Sequence, residues 1–137
     1  MKTGTQIQTD IYGFLKGSTL IGSLSGGLYR HGLRPRDSQS EDCTVIFTTA
    51  DAKQIQEGVV TINIFVPDIF PYPTGVPVVN IARCEEIEGL LQEWVDDMTA
   101  ERSSYLFELK DAIHTQHDDS INQAFVVARL SFRYFES

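Results

Sequence analysis

The run Gly58-Val59-Val60-Thr61-Ile62-Asn63-Ile64-Phe65-Val66-Pro67 and the segment from Asn80 to Glu101 each carry a wide apolar face that has to be covered. In the first, Val60, Ile62, Ile64 and Val66 share one side of a period-two ribbon, the pattern of a strand with one buried face. In the second, Cys84, Ile87, Leu90, Leu91, Trp94, Val95 and Met98 recur at three- and four-residue spacing, and between Cys84 and Met98 the acids Glu85, Glu86, Glu88, Glu93, Asp96 and Asp97 fill most of the other positions. That is the stripe of an amphipathic helix. The two faces can cover each other, which predicts an α+β domain.

On the N-terminal side, Cys43 to Thr49 is β-rich, and the polar segment from Asp51 to Glu57 reads as a hairpin connection to the Gly58 strand. Further upstream, Thr5 and Gln8 have the T-x-x-Q spacing of a capping box. Ile7, Ile11, Phe14 and Leu15 then follow at helical spacing until Gly17 can end the helix. Ser18 is placed to cap another turn through Leu20, Ile21 and Leu24. Ser25-Gly26-Gly27 breaks that pattern before a short strand, Leu28-Tyr29-Arg30, and Arg34 to Asp42 is a polar loop.

On the C-terminal side, Tyr105, Phe107 and Leu109 mark a strand, and Ala112 to Gln123 reads as a polar connection. A last strand follows from Phe125 to Phe135, with Val126, Ala128, Leu130, Phe132 and Tyr134 on one face. The expected fold is one α+β domain over residues 1–137, a mostly antiparallel sheet covered by one long helix and a short N-terminal helix.

A hydrophobic content of 42% with 22% charged residues is that of a folded chain and argues against disorder. No apolar run approaches the ~18 residues of a membrane helix, and the N-terminus lacks a signal-peptide pattern, so no membrane partner is expected. Cys43 and Cys84 have no metal-ligand spacing and read as buried free thiols. A net charge of −8 weighs against a protein that grips nucleic acid. The charge is uneven: the first 40 residues hold five bases and two acids, and residues 85–119 hold two bases and eleven acids. A solvated helix face accounts for such asymmetry, and so does contact between a basic patch on one copy and an acidic patch on the next.

The chemistry-bearing clusters are few. His114-x-x-His117-Asp118-Asp119 has metal-ligand residue types but falls in an expected hairpin tip, where side chains are poorly held. His31 has no nucleophile pattern beside it. Gly13-x-x-x-Gly17 and Gly22-x-x-x-Gly26-Gly27 lack the contexts of a membrane-dimer motif and a phosphate loop, and read as turn glycines. No catalytic residue, cofactor or metal site is therefore expected. Arg30, Arg34 and Arg36 read as a weak phosphate-binding set or as intersubunit ion-pair partners. The loop Pro67-Asp68-Ile69-Phe70-Pro71-Tyr72-Pro73 is expected to fold back over the core, with anchoring of a partner through its aromatics as the alternative.

The element order resembles the tail-completion or tail-terminator (head–tail joining) proteins of long-tailed bacteriophages. It is carried by Gly27-Leu28-Tyr29-Arg30 after a short opening helix, the loop into Val45-Ile46-Phe47, the Val60–Val66 strand, and one long helix before a terminal hairpin. The likeness spans roughly residues 5–135 and is one of element order and length, without a diagnostic motif. It implies a non-enzymatic virion subunit of a phage or prophage, made in the bacterial cytoplasm, that closes into a ring, a hexamer being one candidate. Such a ring caps the tail tube and joins it to the head connector, with DNA only as passing cargo. Arg30, Arg34, Arg36, Asp68, Phe70, Tyr72, Asp118 and Asp119 are then the candidate interface residues. Two other classes stay open: a monomeric binding module using residues 68–77, and a small hydrolase or metalloenzyme centred on His114 and His117.

Overall fold

The computed structural model describes residues 1–101 and 103–135. Its elements are α1 (Gly4–Leu15), α2 (Thr19–Gly22), β1 (Leu28–Arg30), β2 (Cys43–Ala50), β3 (Ile55–Pro67), α3 (Ile81–Ala100), β4 (Tyr105–Leu109), β5 (His114–Asp118) and β6 (Gln123–Phe135). The six strands form one mixed sheet in the order β1-β2-β3-β6-β4, with β5 also paired to β6. The α+β reading holds.

The longest pairing is β3 against β6, antiparallel from Ile55↔Phe135 to Pro67↔Gln123. Its even-numbered residues point to one face, where Val60, Ile62, Ile64, Val66, Val126, Ala128, Leu130 and Phe132 are buried. This face takes the stripe of α3, whose Cys84, Ile87, Leu91, Trp94, Val95 and Met98 are buried, and the stripe of α1 through Ile7, Ile11 and Leu15. Both helices therefore cover the same side. On the odd-numbered face Thr61, Asn63, Phe65, Phe125 and Arg129 are only partly buried, and among the described residues no helix covers it.

Several local readings need correction. The capping box of α1 is Thr3 with Gln6, not Thr5 with Gln8: Gln6 N–H donates to Thr3 Oγ1 at 3.3 Å, and Thr3 N–H to Gln6 Oε1 at 2.9 Å. Both pairs have the same spacing, and the one that starts two residues earlier still keeps Ile7, Ile11 and Leu15 on the buried face. Strand β3 begins at Ile55 rather than Gly58, because Ile55, Gln56 and Glu57 pair with β6 after β2 has ended. Residues 112–123 are not merely a connection, since they contain β5, paired with β6 from His114↔Val127 to Asp118↔Gln123. Its sequence, His-Thr-Gln-His-Asp, has no apolar alternation. Backbone pairing and polar bonds hold it, including Thr115 Oγ1 donating to Glu88 of α3 at 2.7 Å.

Strand β1 runs parallel to β2, from Leu28↔Cys43 to Arg30↔Val45, and a parallel neighbour cannot be joined by a tight turn. This explains the long segment 31–42, which is ordered by its own bonds. Asp42 accepts from Gly27 N–H at 2.9 Å, and its backbone oxygen accepts from Phe65 N–H at 2.8 Å. Gly26 has to be glycine: a Cβ there would sit 2.1 Å from Asp42 Oδ1 and 2.7 Å from the Glu41 carbonyl oxygen. Arg83, in the first turn of α3, grips Glu41 with two bonds of 2.7 and 2.8 Å and donates to the Ser23 carbonyl at 2.7 Å. One guanidinium thus ties α3, the loop and the end of α2 together.

Candidate functional site

The most conspicuous surface feature is the loop that leaves β3. Pro67 ends the ladder opposite Gln123, and Asp68 N–H still bonds the Asn122 carbonyl at 3.0 Å. Ile69 and Val78 then exchange two backbone bonds of 2.9 Å, closing a narrow base. The tip turns at Tyr72-Pro73-Thr74-Gly75, where Gly75 N–H bonds the Tyr72 carbonyl at 3.0 Å and Gly75 adopts φ 75°. Only glycine tolerates that backbone readily. The loop does not fold back over the core as expected. Phe70 is 61% and Tyr72 59% exposed, and Ile69, Val76 and the nearby Ile81 are exposed too. Prolines at 71, 73 and 77 hold the backbone off the sheet, so the aromatics stand in solvent on a fixed frame.

The eight candidate interface residues separate into free and committed groups. Arg34 is committed: its Nε lies 2.8 Å from Asp42 Oδ2, its Nη2 donates to Gln123 Oε1 at 2.9 Å, and its guanidinium stacks 3.8 Å above the centroid of Phe65. Asp68 is committed as well, with its side chain buried against His117. Asp118 accepts from Ser120 N–H and Oγ at 3.0 and 2.6 Å and shapes the β5–β6 turn, and those bonds hold its carboxyl below the ordinary range. Arg30 is partly exposed and reaches Thr9 Oγ1 at 3.3 Å. Arg36, Phe70 and Tyr72 are exposed, and Asp119 is exposed but has its Oδ1 2.7 Å from His117 Nδ1.

The topology also decides which of these residues meet. Gln123 receives Arg34 and pairs with Asp118, and its neighbour Asn122 bonds Asp68. Arg34 and the acids at 68 and 118 therefore gather at the same end of the sheet. His117, expected on a loosely held tip, sits in β5 with Nε2 2.8 Å from Asp68 Oδ2. Among the described residues, no group of three or more His, Cys, Asp and Glu side chains is arranged to hold a metal ion. Both cysteines are free and buried, and burial pushes their thiols up.

At the other end of the sheet, Val59, Leu106, Glu57, Glu108, Asp51 and Arg133 line an open cavity of about 670 Å³. Val59 and Pro67 are eight residues apart along β3, so this cavity and the aromatic loop are separated by roughly 27 Å of strand. Sequence reading did not find the cavity, because it is formed by the open sheet face at the β3–β6–β4 register. The exposed acids of α3, Glu85, Glu86, Glu93, Asp96 and Asp97, form a separate ridge. No helix among the described residues is long and apolar enough to cross a membrane. No protein-family model matches the chain, and no curated protein matches it.

Proposed function

We propose that this chain is a structural subunit that associates head to tail into a closed ring and serves as a bacteriophage tail-completion or tail-terminator protein. The observation that carries the self-association is the placement of two unlike surfaces at opposite ends of β3 and β6. One is a rigid aromatic loop with Phe70 and Tyr72 exposed, and the other a cavity with Val59 and Leu106 in its lining. Unlike patches on opposite ends give heterologous contacts, which generate rings when the rotation closes. Aromatics on a proline-fixed backbone bind at low entropic cost. Arg30 and Arg36 add electrostatic selection against carboxylates on the next copy. The tail role rests on the likeness in element order, and the acidic ridge of α3 suits a surface past which DNA must move without sticking.

The test of the association is Phe70→Ser combined with Tyr72→Ser. Both side chains are largely exposed, so thermal stability should hardly change while assembly is lost. Assembly at the wild-type level would remove the loop from the interface. The exposed aromatics also support a second reading, a monomeric module that holds another protein through residues 68–77. Incorporation of the subunit into a particle as a single copy rather than a ring would favour it.

A further inference from the structure

His117 stands between two carboxylates from different parts of the chain. Its Nε2 lies 2.8 Å from Asp68 Oδ2 and 3.1 Å from Oδ1, and its Nδ1 lies 2.7 Å from Asp119 Oδ1. Asp68 begins the aromatic loop and its side chain is 1% exposed, whereas that of Asp119, in the β5–β6 turn, is 98% exposed. A neutral imidazole has one N–H and one lone pair, so one of its nitrogens would turn a lone pair toward a carboxylate oxygen. Only the imidazolium donates to both.

We propose that His117 is a proton-operated clamp, tightest as the imidazolium, that holds the root of the Asp68–Val78 loop onto the β5–β6 hairpin and loosens when the ring loses its second proton. Between the end of β3 and the Ile69–Val78 bridge, the backbone bond from Asp68 to Asn122 and the His117 contact are what join loop to hairpin. Losing the proton leaves a buried Asp68 carboxylate without its counter-charge, which is costly in a poorly solvated position.

The surrounding charges favour the closed form. Asp68 faces the ring from the loop, and Asp118 and Asp119 from β5 and its turn. On α3, Glu88 bonds the neighbouring Thr115, and the Cys84 thiol feels both Glu88 and Asp68. The cation of the adjoining loop, Arg34, is paired with Asp42. The bond to Asp68 first, and that to Asp119 after it, hold His117 above the ordinary histidine range against the opposing effect of burial. A raised value in the folded state means that the clamp contributes fully below the unfolded histidine pKa of about 6.5 and is lost as pH rises through the folded value.

The test is a pH titration followed by nitrogen NMR of the His117 ring and of the Asp68, Ile69 and Val78 amides, on the intact chain. The expected result is a midpoint above the ordinary histidine value of about 6.5, a ring protonated on both nitrogens below that midpoint, and loop amides that shift with it. His117→Gln should abolish the amide shifts in that window. Asp119→Asn, an exposed change that leaves the fold intact, should lower the midpoint while keeping ring and amides coupled. A wild-type midpoint at or below 6.5, an unmoved midpoint in Asp119→Asn, or unchanged amide titration in His117→Gln would overturn the clamp.

Discussion

Arg34 Nε and Asp42 Oδ2 are 2.8 Å apart, with side-chain exposures of 13% and 2%, which makes this pair an internal brace of the 31–42 loop. Asp42 also accepts from Gly27 N–H, and Arg34 reaches the Ser38 and Ser40 carbonyls, Gln123 and the Phe65 ring. The brace therefore joins the loop to Gly27, just before β1, and to β3 and β6. Removing one member of a buried pair leaves the other uncompensated, at a cost of about 3–5 kcal/mol. Asp42→Ala should lose stability of that order in urea unfolding, and a loss within experimental error would show the brace to be unimportant.

The same carboxylate makes a prediction about acid. Burial alone would raise the Asp42 pKa, but the bonds from Ser38, from Gly27 N–H and from Arg34 outweigh it and leave the group below its ordinary range. A depressed folded value contributes stability that is present above the unfolded carboxylate pKa, about 3.9, and is lost as pH falls through the folded value. Stability should fall on acidification below about pH 4, and Asp42→Asn should flatten that part of the profile. Parallel acid profiles for the two proteins would count against this origin.

Trp94 lies buried between α3 and the sheet, in the cluster that includes Ile87, Leu91, Val60 and Leu130. Trp94→Ala should cost roughly 3–5 kcal/mol, because the transfer of a large aromatic is lost and a cavity is left. Calorimetry reads this directly, and a change below ~1 kcal/mol would mean that the site collapses or that the helix packs less closely than its burial indicates.

The elements with strong apolar periodicity were legible from sequence: β6 and α3 lie within two residues of where their spacing put them, and β3 does from Gly58 onward, with Asn80 capping α3 through a bond from Arg83 N–H. Strand β5 was not, because His114 to Asp118 bury no apolar side chain and owe their conformation to the β6 backbone beside them. The candidate site was legible in part. Phe70 and Tyr72 stand out in any reading, but whether they face inward depends on how Pro71, Pro73 and Pro77 direct the backbone. Local composition could not separate Arg34 from Arg36. Their different roles depend on Asp42, Gln123 and Phe65, which only the folded sheet brings together.

That distinction changes how the charge hypothesis should be tested. Arg30→Glu with Arg36→Glu should leave the melting temperature nearly unchanged and weaken association, increasingly masking any difference from wild type as salt rises toward 1 M, where the screening length is ~3 Å. Arg34→Glu should instead damage folding, so its failure to assemble would carry no information about an interface. Unaltered assembly of the Arg30/Arg36 double variant at low salt would exclude ion pairing by these side chains.

The most direct measurement is electron microscopy of tails purified from particles that encode this chain, with the subunit labelled. The ring proposal predicts label confined to the head-proximal end of each tail, at a stoichiometry of one closed ring, and tails that fail to join heads when Phe70 and Tyr72 are both changed to serine. Absence of the chain from purified tails, or its presence along the whole tube, would contradict it.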